Sequence, residues 1–239
     1  MEDNYWWHVG KRGIVRSLII KLLSRKKVLD LKEDLKILDV GCGAGRWLEE
    51  LEKITKGESW GIDKEPEAIN FCKERGLKNL KIVSAEKIPF PDCYFDLITC
   101  LDLLEHIDND KEALAEICRV LKPCGFLIIS VPAYKRLFSY WDEMLHHKRR
   151  YEIEEIKNLL EKNTFRIFKL TYSNFFIFLP SIFVRLLKSK QKKTREISDF
   201  MPVPSFANKF LIFLYKIEAF LLTKTNLPFG LSILAIVQK

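Results

Sequence analysis

The sequence predicts an α/β fold built on a doubly wound parallel sheet. Three observations carry this. Short apolar runs alternate with amphipathic helical patterns between residues 36 and 131. A glycine-rich turn follows directly on the first of those runs. The chain, 48% hydrophobic and 30% charged, has the composition of a domain with a packed core rather than a disordered one.

Taken in order, residues 12–29 read as an amphipathic helix with a basic face. Residues 36–40 are the first strand and 44–54 a helix; 59–62 are the second strand and 65–75 a helix. Residues 80–84 and 95–100 are further strands, 110–121 a helix and 126–131 the fifth strand. Right-handed crossovers leave the doubly wound sheet as the economical topology for this series.

After Pro132 the character changes. No glycine occurs between Phe126 and Phe229, and 12 of the 17 phenylalanines lie from Phe165 onward. Residues 153–162 look helical, 165–172 and 231–239 look like strands. Between those strands lie two apolar stretches, 175–187 and 206–222. Pro180 and Arg185 interrupt one, Lys209, Lys216 and Glu218 the other. Neither reaches the roughly 20 uninterrupted apolar residues of a membrane span. Two readings stay open: helices that bury each other and extend the core, or a cap with an exposed apolar face. The second, with the basic linker Lys188, Lys190, Lys192, Lys193 and Arg195, would suit an anionic membrane surface or a lipid-like substrate. The expected organisation is one domain over 1–239: a helical cap (1–30), a cofactor-binding core (36–172), a helical insert (174–230) and a final strand.

The formal net charge of +8 favours polyanionic partners, or simply marks a lysine-rich enzyme. No basic segment followed by an apolar one opens the chain, so no secretory signal is expected. The six cysteines show no CxxC pair or regular framework, which fits reduced thiols in a cytoplasmic protein. His8, His106, His146 and His147 lack a chelating spacing, and no metal is expected.

The glycine turn narrows the chemistry. Asp39, Gly41, Gly43 and Gly45 form D-x-G-x-G-x-G. A dinucleotide fingerprint would need glycine at the position of Arg46, where close helix packing on the sheet requires it. Asp63 ends the second strand, 22 residues after Gly41, where a carboxylate accepts hydrogen bonds from both ribose hydroxyls of an adenosine cofactor. In Ser84-Ala85-Glu86 a carboxylate can accept from an adenine amino group, and Ala85 leaves room for the ring.

This order resembles the class I S-adenosylmethionine-dependent methyltransferases, with specific motifs over residues 36–131. The glycine motif is Asp39–Gly45, the ribose acid Asp63, the adenine segment Ala85–Glu86, and the turn before the fifth strand Leu121-Lys122-Pro123-Cys124-Gly125. The family usually has glycine where Cys124 stands. More loosely, the chain resembles small-molecule methyltransferases of the ubiquinone/menaquinone-biosynthesis kind. One subgroup opens with an aromatic pair like Trp6-Trp7 and has a segment like Trp141-Asp142 through His146-His147-Lys148-Arg149-Arg150-Tyr151. His146 replaces the usual glycine there.

The resemblance implies a Rossmann-like sheet of seven strands, mostly parallel with the last antiparallel. It implies S-adenosyl-L-methionine as methyl donor, S-adenosyl-L-homocysteine as product, and a small or lipophilic acceptor. Expected cofactor contacts are Asp39, Gly41, Cys42, Gly43, Gly45, Asp63, Ala85 and Glu86. Lys64, Cys100 and Leu101 join them because the C-terminal ends of the second and fourth strands face the ligand. Trp6, Trp7 and His8 read either as a staple on the core or as an aromatic lid over the sulfonium. In the second case Trp7 and Arg12 contact the cofactor, Arg12 by pairing with the cofactor's carboxylate, and Trp6 contacts the substrate.

Catalytic candidates are His106, Asp142 and His147, with Arg150 and Tyr151 as substrate contacts. His106 follows the fourth strand and has the side chain whose ordinary pKa suits a base; its bland alternative is a helix-capping residue. Asp102 and Glu105 are orienting candidates, and the 142–151 cluster reads alternatively as a loop positioning the next helix. No Asn/Asp-Pro-Pro-aromatic motif follows the fourth strand and no proline precedes Cys100, which lowers the nucleic-acid reading. An RNA methyltransferase and a non-catalytic cofactor-binding module are the rivals. Acceptor identity and oligomeric state stay open.

Overall fold

A computed structural model describes residues 3–24, 35–188 and 203–239. The elements in chain order are α1 (Trp6–Ser24), β1 (Lys36–Val40), α2 (Arg46–Thr55), β2 (Glu58–Asp63), α3 (Pro66–Glu74) and β3 (Leu80–Ile82). Then follow β4 (Phe95–Leu101), α4 (Asp110–Val120), β5 (Leu121–Pro132), α5 (Tyr140–Met144), α6 (Ile153–Lys162) and β6 (Arg166–Ser173). The last elements are α7 (Phe178–Lys188), α8 (Ser205–Lys224) and β7 (Ser232–Gln238).

The sheet has seven strands in the order β3-β2-β1-β4-β5-β7-β6. β7 runs antiparallel to both β5 and β6, and the other pairings are parallel. Strand order reverses between β1 and β4, leaving a crevice at their C-terminal ends where the crossovers leave to opposite sides. The period-2 alternation of strand side chains sorts the apolar residues onto two faces. On β5, Phe126 and Ile128 join one core, while Leu127, Ile129 and Val131 join the other.

Three elements differ from the sequence expectation. α1 begins at Trp6, so the aromatic pair is helical rather than a free segment before a helix; residues 25–29 of the expected helix lie outside the described residues. The turn at Cys124 is absorbed into β5, and Cys124 takes φ +64°, the left-handed conformation for which the family's usual glycine is suited. α5 is a short helix no sequence period announced. Ser139 and Asp142 form a capping box at its start.

The insert does not bury itself. α8 packs along α1, and their side chains share a core with Ile37, Leu97 and Phe126 of the sheet. Gly10 permits this approach, because a Cβ there would lie 2.3 Å from the Tyr215 ring. Tyr215 donates to Asn174 Oδ1 at 2.8 Å, and Asn174 donates to Ser232 at 2.8 Å. Buried Glu218 accepts from the backbone N–H groups of Asn174 (2.6 Å) and Phe175 (3.0 Å), tying α8 to the end of β6. The basic linker 190–195 lies outside the described residues.

α1 is therefore core, not ornament, and two neighbouring isoleucines test it. Ile19 is fully buried and Ile20 is 48% exposed. Ile19→Ala is expected to cost about 2–5 kcal/mol and Ile20→Ala less than about 0.5 kcal/mol, measured by urea unfolding. Equal, small effects would mean that α1 does not pack on α8.

Candidate active site

A cavity of about 230 Å³ opens at the β1/β4 crevice. Its floor is Asp39 and the loop Gly41–Ala44, its wall Leu101, Asp102 and Ser130, and its far side Ser173, Asn174 and Leu234. Its roof is the first half of α1: Trp7, His8, Lys11, Arg12, Ile14 and Val15. The loop glycines Gly41, Gly43 and Gly45 have φ of +76°, +52° and +80°. A Cβ on Gly43 would meet no protein atom within 4 Å, so this turn leaves its open side to a ligand. Gly45 caps α2 without any side-chain hydrogen bond, and that helix N-terminus adds partial positive charge beside the loop.

Asp63 pins the loop. One carboxylate oxygen accepts from Gly43 N–H at 2.9 Å and the other from Glu65 N–H at 3.0 Å. Each oxygen retains a lone pair, so a diol donor can still be received. Asp39 is almost fully buried and accepts from Thr99 Oγ1 at 2.6 Å. Burial pushes its pKa up to about 7, the Thr99 bond working against that rise.

Asp102 has φ +51° at the end of β4 and accepts from Ser130 Oγ at 3.0 Å and from Lys11. Its neighbour Glu105 is 1% exposed, and burial with the Asp102 charge holds its carboxyl well above the ordinary range. Burial and the facing His147 lower the His106 pKa. The His106 and His147 rings stand 4.8 Å apart, nearly perpendicular. His147 Nδ1 lies 3.1 Å from Asp142 Oδ1, and Arg150 Nε donates to the same oxygen at 2.6 Å.

The expected site residues divide. Trp7, Arg12, Asp39, Gly41, Cys42, Gly43 and Leu101 line the cavity; Gly45 and Asp63 support its loop. Cys100 does not line it, a correction that the pleat dictates: Leu101 faces the cavity, so Cys100 faces the opposite core, where it is fully buried. Ala85 is also core; Glu86 does not line the cavity and accepts one hydrogen bond on each carboxylate oxygen, from Ser84 Oγ and Asn109 N–H. Lys64 is exposed beside Glu65. Arg12 holds Glu50 at 2.8 Å. Trp6 does not line the cavity; it packs between Trp7 and Tyr215 and donates its backbone N–H to Asn208, as part of the α1–α8 contact.

The 142–151 cluster is corrected too. Asp142 is fully buried; it caps α5 and orients His147, a positioning role. Arg150 is buried between Asp142 and the Ala133 carbonyl. Tyr151 donates to Asp110 Oδ2 at 2.8 Å inside the core. Neither lines the cavity. Sequence reasoning missed Lys11, Ser130 and Asn174; Lys11 sits one helical turn after Trp7, the only local signal that it shares that face.

Residues 38–129 match a family model described as a methyltransferase domain. An uncharacterised protein of Methanocaldococcus jannaschii is 35% identical over 173 residues, covering 69% of this chain and 67% of that protein. The chain belongs to the class I S-adenosylmethionine-dependent methyltransferases. It is also similar to a demethylmenaquinone methyltransferase of Staphylococcus aureus, 32% identical over 49% of this chain and 55% of that enzyme. The chain spans about half the length of most curated relatives it matches. A Thermotoga maritima structure described as a S-adenosylmethionine-dependent methyltransferase, possible histamine N-methyltransferase, has the same fold, with TM-score 0.61 at 21% identity over 98% of this chain and 92% of that one.

The cavity fits this family's cofactor, S-adenosylmethionine. The open face of Gly43 and the remaining acceptor capacity of Asp63 match a ribose diol, while Lys11 and Arg12 on the roof are already paired with Asp102 and Glu50. Gly43→Val, which puts a side chain at a left-handed φ into the open space, and Asp63→Ala, which removes one or two hydrogen bonds, are each expected to weaken S-adenosylmethionine binding at least about tenfold by calorimetry. Unchanged affinity in both would refute this placement.

Asp39 gives a pH signature. Its pKa is about 7 folded against 3.8 in its ordinary setting. The folded chain thus holds a proton that the unfolded chain releases, and the associated stability is present below pH 3.8 and lost as pH rises towards 7. The unfolding free energy of Asp39→Asn relative to wild type should therefore rise across that window and level above it. A flat difference would show Asp39 ionised throughout.

Proposed function

We propose that the protein transfers the methyl group of S-adenosylmethionine to a small, lipophilic acceptor by in-line displacement. The observation that supports this best is the cavity, bounded by the glycine loop, the end of β4 and the aromatic roof of α1. The cofactor supplies an electrophilic methyl on a sulfonium, whose charge is neutralised as the methyl leaves. The chain's part is positioning and exclusion of water. Trp7, Ile14, Val15 and Leu234 make the cavity wall apolar, and the Lys11–Asp102–Ser130 cluster fixes its polar edge.

The lipophilic acceptor is supported by the outer surface of the insert. Phe206, Phe210, Phe213 and Phe220 of α8 are 77%, 58%, 57% and 63% exposed. Leu179 and Phe183 of α7 are exposed as well. Phenylalanines at this spacing, with Lys209 and Lys216 among them, suit the interface of an anionic membrane. Among the described residues no helix is long and apolar enough to cross a membrane. The proposed setting is cytoplasmic with peripheral contact, which delivers an apolar substrate to the cavity from the lipid side.

Incubating the protein with S-adenosylmethionine and a lipid extract is expected to give S-adenosylhomocysteine, and a boiled-protein control none. Absence of product across lipid and aqueous extracts would favour a non-catalytic module. Sedimentation with anionic liposomes should fall several-fold in Phe206→Ser/Phe210→Ser/Phe213→Ser; retention at wild-type level would remove the membrane reading.

A further inference from the structure

Beside the cavity, two segments separated by about 40 residues converge on one point. The short 3₁₀ turn Leu104–His106 follows β4, and His147 follows α5. Lys148 N–H donates to the Glu105 carbonyl at 2.7 Å, which locks the segments in register. One ligand atom from each of Glu105, His106 and His147 lies within 4.8 Å of the others.

The two imidazoles are prepared in the same way. His106 Nδ1 lies 3.2 Å from the carbonyl oxygen of His146, which only an N–H can satisfy, so Nε2 keeps its lone pair. His147 Nδ1 faces the Asp142 carboxylate at 3.1 Å, which fixes the same tautomer. Asp142 is itself held by Arg150 and by Ser139 N–H. Carboxylate and carbonyl partners behind two imidazoles are the outer support that metal-bound histidines need to stay oriented and basic. Glu105 completes the set: its Oε2 is buried and meets no hydrogen-bond partner, a costly arrangement for a carboxylate.

We propose that Glu105, His106 and His147 bind a divalent transition-metal ion. Two imidazoles and one carboxylate favour zinc, iron, cobalt or manganese over magnesium or calcium, which prefer all-oxygen sites. Bond lengths of about 2.0–2.2 Å require the ligand atoms, now within 4.8 Å of one another, to draw together when the ion binds. Three protein ligands leave coordination positions open, and Asp102, three residues before Glu105, lines the cavity. On the methyltransferase reading, those positions suit an acceptor that carries an oxygen ligand. Metal binding itself does not depend on that reading. Linear spacing predicted no metal because the two histidines lie 41 residues apart; the loop after α5 removes the separation.

The test uses the full chain, stripped with chelator, and Co²⁺ as probe, because cobalt reports its ligands optically. Wild type is expected to bind one equivalent with visible d–d bands and without the intense thiolate charge-transfer band that the six cysteines would give. His147→Ala and His106→Gln should each weaken binding more than tenfold. Circular dichroism establishes that each variant is folded, and His106, only half-buried, is the substitution safest for the fold. No stoichiometric binding, a thiolate band, or unchanged affinity in both histidine variants would overturn the proposal. None of these readouts involves S-adenosylmethionine, so the site can fail while the methyltransferase reading stands, and the reverse.

Discussion

The cavity has a roof because the two ends of the described chain are packed together. α1 carries Trp7, Lys11 and Arg12 over the β1/β4 crevice, and nothing in α1 alone would keep it there. Most of a protein helix's stability comes from packing its apolar face. The buried stripe of α1, Ile14, Val15, Leu18, Ile19 and Leu22, is satisfied by Tyr215, Ala219 and Leu222 of α8 and by the sheet. α8 is held in turn by Glu218, whose carboxylate takes two backbone N–H groups at the end of β6. The insert thus acts on the cofactor site at one remove, by fixing the helix that closes it.

A second constraint sits at the other side of the crevice. Asp142 gathers Arg150, His147 and the start of α5, all inside the protein. A buried carboxylate with a guanidinium partner is costly to disrupt and geometrically exact in what it positions. Its consequence is a histidine whose free nitrogen is aimed rather than mobile. Of the candidates the sequence offered here, Asp142, Arg150 and Tyr151 are therefore supports, while His106 and His147, beside Glu105, keep capacity to act.

Much of the fold was legible because the hydrophobic period is local. The sheet strands and the helices between β1 and β5 fall within a few residues of their sequence-derived bounds. The glycine loop was legible for a related reason: three positive-φ positions in five residues leave few alternatives to glycine. α5 was not, since five residues carry no readable period. Cys100 and Leu101 were both placed at the cavity from their strand position alone. Only the pleat, fixed by register with β1 and β5, decides that one faces it and the other the core.

The sequence by itself determined the doubly wound core, the glycine loop and the acid that ends β2, because each follows from periodicity and spacing within some 30 residues. Tertiary structure decided what surrounds them. That α8 clamps α1, that Trp6 is packing and Lys11 is cavity, and that Glu105 meets two histidines are all contacts between distant segments. Linear spacing carries no signal of such meetings. They arise when buried faces and buried charges are satisfied together, which happens only once the chain has closed on itself.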